Sequence, residues 1–434
     1  MIDVEFFKKN PELVALKSKQ KGYEIDTAHI ISLDENRRKL LNEVDNLRKR
    51  RNELSNLGKD FNKDKLKISE AKEIKTSLSK LEEELKSSET IFYNEFKKIP
   101  NVSLDDVPIG SSEADNVVVR EIGVIKKFDF EPKQHNELAD VLDLIDTKRA
   151  VKISGSRFAY LKNDLVRLQF AIISFVMDSL TNEEIIKEII LKNKLNITSK
   201  PFSLVLPPAM IKTEPYVASA RLNAEEMTYK IEQDDLWLNA SAEHSLCTMY
   251  WNEIIPEEAL PIRYLGYSTS FRREAGTYGK DTEGIFRMHQ FDKLEMEVFS
   301  KPEDGLSEHL LLIAIQEYLM QQLGLPYRVI RKSTFDIGKP NATGVDIEVW
   351  LPGQKKYRET HTADYLTDYQ SRDLMIRSKK DNAGIPTLVH TNDATAFALG
   401  RILIAILENY QLKDGSIEIP SALIPYMMGK TKIQ

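Results

Sequence analysis

From residue 33 onward, the apolar positions of this chain alternate three and four apart. Leu33, Leu40, Val44, Leu47 and Leu54 make one stripe, and Ala71, Ile74, Leu78, Leu81, Leu85 and Phe92 make a second. Charged and polar residues fill the positions between. This period predicts two amphipathic helices paired along an apolar seam. The polar stretch 57–65, which contains Gly58, separates the stripes and predicts the turn of an antiparallel coiled coil. Each helix takes roughly 30 residues, so the arm is about 45 Å long at a rise of 1.5 Å per residue. Pro100 ends it. The expected N-terminal domain is 1–105, with its coiled coil over about 28–98.

Past residue 110 the pattern changes to short apolar runs between turns. Residues 116–120 read as a strand, 165–180 and 183–191 as helices, and 202–206 as a strand ending at Pro207 and Pro208. Strand-like segments recur at 237–238, 262–264, 286–287, 346–350 and 356–358, with a helix around 306–323. Few crossover helices lie between these strands. The expected second domain, 106–434, is therefore a mainly antiparallel sheet flanked by helices, an α+β fold.

Composition narrows the class. A chain of 434 residues buries a large core, and a net charge of −6 gives no global signal for nucleic acid. Phosphate contacts then need a local basic element. The first predicted helix supplies one: Arg37, Arg38, Lys39, Arg48, Lys49, Arg50 and Arg51. Taken alone, such a run reads as a solvated coiled-coil face, and Arg37 and Arg51 fall at or near the seam. The single cysteine, Cys247, excludes a disulfide framework and a cysteine zinc cluster. The start carries no basic region followed by an apolar stretch, and no apolar run approaches the roughly 20 residues that span a bilayer. The expected setting is cytoplasmic, away from membranes.

The densest chemistry lies at Phe271-Arg272-Arg273-Glu274 and Arg287-Met288-His289-Gln290-Phe291. The two segments read as strand, loop and strand, and the loop holds Gly276, Gly279, Lys280, Asp281 and Gly284. The Arg272 guanidinium is a fixed fork that matches two phosphate oxygens. Phe291 offers a flat face for a purine. No G-x-x-x-x-G-K-[ST] loop is present. The pattern predicts a hairpin that grips ATP and exposes its α-phosphate.

That hairpin resembles the second signature motif of class II aminoacyl-tRNA synthetases. Further segments narrow the resemblance to the seryl-tRNA synthetase family. Ser241-Ala242-Glu243 resembles the family's Thr-x-Glu loop. Arg358-Glu359-Thr360-His361-Thr362, with Asp368-Tyr369-Gln370-Ser371-Arg372, resembles its late metal and ATP strand. The stretch 390–411 resembles its third motif, and helix, strand and proline at 165–208 resemble its first, which builds a dimer interface. Ile99-Pro100-Asn101 and Gly155-Ser156-Arg157-Phe158 match landmarks upstream. These motifs stand in order along essentially the whole chain.

The resemblance implies a homodimer that activates L-serine with ATP and transfers it to the 3′ end of tRNA(Ser), and of tRNA(Sec) as well. It implies that the arm grips the tRNA; Arg37, Arg48 and Arg51 are the candidate contacts. Arg272, Glu359 and Arg401 are the implied catalytic residues. Arg273, Glu274, Phe291, Thr360, His361 and Thr362 join them around ATP. Glu359, helped by the Thr362 hydroxyl, is the implied Mg2+ ligand, in keeping with the few protein oxygens this ion takes. Ser241, Ala242, Glu243, Arg272, Glu295, Asp393 and Thr395 are the implied serine contacts. Four positions depart from the family: Ser241 for threonine, Thr362 for serine, Asp393 for asparagine, and Asp373 for arginine. The first two keep a hydroxyl; the third replaces an amide by a carboxylate.

Singly, these residues have plainer readings. A strand arginine beside a glutamate is commonly a surface ion pair, and a lone phenylalanine is commonly core. His289 and His361 have no metal-binding spacing and read as hydrogen-bonded structural histidines. Two rival functions remain: an amino-acid-activating relative that charges a carrier protein, expected to lack the arm, and a non-catalytic RNA-binding relative, expected to lack Arg272, Glu359 or Arg401.

Overall fold

The computed structural model describes residues 1–56, 65–222, 228–274, 284–381 and 384–434. The turn expected at 57–65 and the loop glycines Gly276 and Gly279, with Lys280 and Asp281, fall outside the described residues, apart from the backbone of Lys65. The chain divides into two compact units, Met1–Val102 and Ser103–Gln434.

The first unit is all helix. Two short helices, Val4–Lys9 and Pro11–Gln20, precede Thr27–Ser55 and Lys65–Phe96, of 29 and 32 residues. Asp26 starts the first long helix by accepting a hydrogen bond from the His29 amide at 2.9 Å. The seam is the predicted one in its middle, where Val44, Leu78 and Leu85 are buried and Leu40, Leu47 and Leu81 pack against them. At its base, aromatic rings take over. Phe92 stacks on Phe96 with centroids 5.2 Å apart, and Phe7 meets Phe96 edge-on at 5.4 Å.

The second unit is built on an eight-stranded sheet. Its strands are β1 (Val117–Ile122), β2 (Ser203–Val205), β3 (Ile262–Phe271), β4 (Gln290–Ser300), β5 (Tyr327–Arg331), β6 (Thr343–Leu351), β7 (Lys356–Thr367) and β8 (His390–Ala398). They lie in the order β1-β5-β6-β7-β8-β4-β3-β2. Every pairing is antiparallel except that of β2 on the edge of β3. Helices Asn163–Leu180, Gly305–Gln322 and Leu399–Asn409 contribute to a core that also holds Leu294, Met296, Ala394 and Ala396.

Successive strand residues point to opposite faces. With Leu294, Met296 and Val298 in the core, Phe291, Lys293, Glu295 and Glu297 of β4 share the opposite face. Two bulges adjust that face. One lies between Leu294 and Glu295 against β8; the other lies between Ile347 and Glu348 against β7. Bulges re-aim side chains beside functional sites. These two reset the register at Glu295 and Glu359.

Two predicted boundaries change. The returning strand starts at Gln290, so Phe286 and Arg287 precede it rather than forming a strand of their own. Residues 368–372 do not continue the strand: Thr367 takes a left-handed φ of 55°, and Tyr369–Leu374 is a helix that Asp368 precedes.

Below the sheet a buried ion pair joins β3 to helix Gly305–Gln322. Arg263 Nε and one terminal nitrogen meet the two Glu308 oxygens at 2.8 and 2.7 Å, with both side chains at most 1% exposed. Removing one member of such a pair strands a buried charge. Glu308→Leu is expected to destabilise the second unit by about 3–5 kcal/mol, read as a lowered midpoint in urea unfolding. An unchanged midpoint would contradict this role.

Candidate active site

The polar face of β4 and the end of β3 open into a cleft of about 670 Å³. Among the described residues, four cationic side chains line it, Arg272, Arg287, Lys293 and Arg401, against two carboxylates, Glu274 and Glu359. This balance suits a polyanion. The Arg272 guanidinium stands 5.3 Å from the centroid of Phe291. Its Nε donates to the Ala240 carbonyl at 3.0 Å, leaving the outer nitrogens of the fork for a ligand. His289 fixes the hairpin base: its carbonyl accepts from the Arg272 amide, and its Nδ1 lies 2.9 Å from the Arg272 carbonyl.

The far wall comes from β7 and the helix after β8. Arg401 holds Glu359 by its side chain at 2.9 Å and by its carbonyl at 3.0 Å. Burial pushes the Glu359 carboxyl up, but Arg401 and then Lys332 outweigh it, and the group sits below the usual range. Phe286 lies between two guanidinium groups, Arg358 at 3.9 Å and Arg401 at 5.2 Å from its centroid. Gly400 lets this helix approach the hairpin, because a Cβ there would lie 3.1 Å from the Ile285 carbonyl oxygen. Gln316, from the core side, donates to the carbonyls of Thr362 and Thr395 at 2.8 and 2.9 Å. It thereby braces two strands whose hydroxyls line the cleft.

Beyond Lys293 lies a buried acidic cluster, a recess of the fold filled by its own side chains. Ser241 starts helix Ala242–Leu246 and places Glu243. The Ser241 hydroxyl accepts from Lys293 Nζ at 3.1 Å and donates to Glu295 at 3.3 Å. Lys293 also pairs with Glu295. Acceptor atoms of Glu243, Glu295 and Asp393 all lie within 4.8 Å of one another. Burial raises the carboxyls of Glu243 and Glu295, and cations oppose the rise, Arg221 for Glu243 and Lys293 for Glu295.

Residues 1–103 match the seryl-tRNA synthetase N-terminal domain, and residues 228–410 match the tRNA synthetase class II core domain (G, H, P, S and T). A serine–tRNA ligase of Nitrosopumilus maritimus is 37% identical across 100% of both chains. The chain belongs to the seryl-tRNA synthetase family. A serine–tRNA ligase of Borreliella burgdorferi is 40% identical over 98% of each chain. The seryl-tRNA synthetase of Pyrococcus horikoshii, solved with ATP, is 35% identical, superposes with a TM-score of 0.87 and is covered over 99% of its length by 100% of this chain. The cytoplasmic serine–tRNA ligase of Naegleria fowleri, solved with AMP, is 27% identical with a TM-score of 0.82, over 99% of this chain and 97% of that one.

In this synthetase most of the expected residues converge. Arg272, Glu274, Phe291, Glu359, Thr360, Thr362, Thr395 and Arg401 line the main cleft, and Ser241, Glu243, Glu295 and Asp393 form the recess. Ala242 is buried behind it. Two ATP contacts expected from the resemblance are not at the cleft. Arg273 lies over the Tyr229 ring at 5.7 Å instead of turning inward. The His361 ring is buried against Phe397 at 5.1 Å, its Nδ1 is 2.8 Å from the Thr360 hydroxyl, and burial drives its pKa down to about 3. It is a neutral core histidine. In the arm, Arg37 is a seam residue: it pairs with Asp34 at 2.6 Å and covers Phe92 at 5.0 Å. Arg48 pairs with Glu82 at 2.9 Å on an open surface, and Arg51 is exposed.

The sequence reading missed Lys293, Phe286 and Arg221, and it named Arg287 in the hairpin without giving it a role. Lys293 was findable, since it sits two residues from both Phe291 and Glu295 on one face of a strand. Arg221 had no local signal.

Proposed function

We propose that the cleft and the buried acidic cluster beyond Lys293 carry out both halves of the serine–tRNA ligase reaction. A serine carboxylate oxygen attacks the α-phosphorus of ATP, and the bond to pyrophosphate breaks as seryl-adenylate forms. The terminal ribose hydroxyl of the tRNA then attacks the activated carbonyl carbon and releases AMP. Such chemistry needs positioning and fixed positive charge more than covalent help. Arg272 meets the α-phosphate and the serine carboxylate. Arg401 meets the γ-phosphate. The adenine lies on Phe291, and Glu274 accepts from its amino group. Glu243 takes the serine ammonium group, and Glu295 takes the hydroxyl proton, with Ser241 and Thr395 beside them.

Mg2+ fits this wall of the cleft. Glu359 is ionised and turned toward it, and the Thr362 hydroxyl keeps a second lone pair while accepting from Lys332 at 2.8 Å. A hard cation there would neutralise developing phosphate charge. The arm is read as the tRNA(Ser) handle, and by the same resemblance the tRNA(Sec) handle. A homodimer is supported by exposed apolar residues where the first motif lies: Phe170, Leu204 and Leu206 are 57%, 48% and 79% exposed. No helix among the described residues is long and apolar enough to cross a membrane. The likeness to the cytoplasmic serine–tRNA ligase of Naegleria fowleri supports a cytoplasmic setting.

The observation that carries this reading is the Arg272 guanidinium beside Phe291 at the mouth of a recess lined by Lys293 and Glu295. Serine-dependent exchange of pyrophosphate into ATP, followed by charging of tRNA(Ser), tests it. Exchange without charging would favour a carrier-protein substrate, and neither activity would favour a non-catalytic role. Glu295→Gln is expected to raise the KM for serine about 100-fold, with the KM for ATP unchanged, because the charged acceptor for the substrate hydroxyl, which also pairs with Lys293, becomes a neutral amide with donors of its own. An unchanged KM for serine would remove Glu295 from the site.

A further inference from the structure

Across the neighbouring strands β4, β8 and β7, Glu297 faces Asp393 and Asp393 faces Asp364. None of the three is more than 5% exposed. Like charges directly opposite one another on a sheet repel, so this row must be neutralised. Glu297 has no hydrogen-bond partner for either oxygen among the described residues. Burial pushes the carboxyls of both Glu297 and Asp393 well up; beside Asp393 the Arg221 guanidinium opposes that rise. Lys332 serves Asp364 at 2.8 Å. The remaining cation is Arg221, whose side chain is 11% exposed and pairs with both Asp393 and Glu243.

Arg221 is held from behind. Gln370 donates to the Ser219 carbonyl at 3.0 Å and accepts from the Thr391 hydroxyl at 2.9 Å. Ala220 takes a left-handed φ of 58°, which a residue with a Cβ keeps only where its surroundings fix it. The Gln370 that the sequence placed on a strand therefore anchors the segment that carries Arg221.

We propose that Arg221 is a positioning residue of the amino-acid subsite: its guanidinium, shared by Asp393 and Glu243, offsets the carboxylate that replaces the family's asparagine and sets Glu243 for the ammonium group of the substrate. The inference rests on the serine-site reading above. Around the converging atoms stand three carboxylates, Glu243, Glu295 and Asp393, and two cations, Arg221 and Lys293. With these five groups charged, the described residues leave one net negative charge for one ammonium group. Glu295 Oε1 is buried with no hydrogen-bond partner among the described residues, an acceptor available to a substrate group. An amide at 393 with Arg221 retained leaves no net charge for the ammonium. Loss of Arg221 with Asp393 retained leaves a surplus and a mobile Glu243. Removing both restores the balance.

Pyrophosphate exchange with serine and ATP varied separately tests this in the full-length enzyme. Asp393→Asn and Arg221→Met are each expected to raise the KM for serine about tenfold or more, with kcat and the KM for ATP within about threefold. The double variant is expected to return the KM for serine to within about threefold of the unaltered enzyme, and Arg221→Lys to recover part of the loss. Losses that multiply in the double variant, or a KM for serine that neither single change moves, would overturn the proposal. If Arg221→Met alone does not fold, Asp393→Asn and the double variant still decide it, since the first strands no buried carboxylate and the second takes the cation from Glu243 alone. An unaltered enzyme with no serine-dependent exchange would sink the serine-site reading itself, a separate result.

Discussion

Arg272→Ala is expected to lower kcat/KM for serine-dependent pyrophosphate exchange by about a thousandfold, or about 4 kcal/mol of transition-state stabilisation. The reason is geometric. Charge develops on the α-phosphate as the carboxylate attacks, and the outer nitrogens of this fork are aimed into the cleft by a hydrogen bond from Nε to Ala240 at 3.0 Å. Alanine removes the fork, that bond and the contact with Phe291 together. The fold loses little, because Arg272 follows the last residue of β3 and is only half-buried. One hydrogen bond contributes about 1 kcal/mol, so the unfolding midpoint is expected to fall by only about 2–4 °C. Exchange within tenfold of the unaltered enzyme, in a protein that unfolds normally, would remove Arg272 from the chemistry.

Deleting residues 30–97 is expected to separate the two half-reactions. Activation should stay within about threefold, because the cleft is built entirely from the unit Ser103–Gln434. Charging of tRNA(Ser) should fall by about three orders of magnitude, the scale on which several phosphate contacts act. The deletion removes both long helices at once, so the coiled-coil seam goes as a whole, and at the base Phe7 loses its partner Phe96. The residual charging should also lose much of its salt dependence. Normal charging by the shortened protein would show that the arm is no tRNA handle. Within the arm, Arg51 and Arg48 are the residues to change first. Arg37 is a poor choice, since its partners Asp34 and Phe92 make it part of the seam.

The arm was legible because its signal is local and repetitive: the period of Val44, Leu78 and Leu85 returns as a buried seam whatever the rest of the chain does. The hairpin around Arg272 and Phe291 was legible for a related reason. Its chemistry-bearing residues lie within about one strand length of each other, and a strand period of two sends Phe291 and Glu295 to the same side. Errors came where a backbone event breaks the period. A left-handed Thr367 turned an expected strand into helix Tyr369–Leu374, and the bulge between Ile347 and Glu348 fell where Glu359 pairs with β6. His361 resembled a site residue by its neighbours but went to the core face.

By itself the sequence determined the helical arm, the class of the sheet and, at the cleft, the charged residues Arg272, Glu274, Glu359 and Arg401, because periodicity and short motifs are set by neighbours a few positions apart. Only the tertiary structure decided which charges meet. Arg221 and Asp393 are 172 residues apart along the chain, and Glu297, Asp393 and Asp364 become one row only when β4, β8 and β7 pair. The strength of a charge interaction depends on separation in space and on exclusion of water, and neither is written in the order of residues.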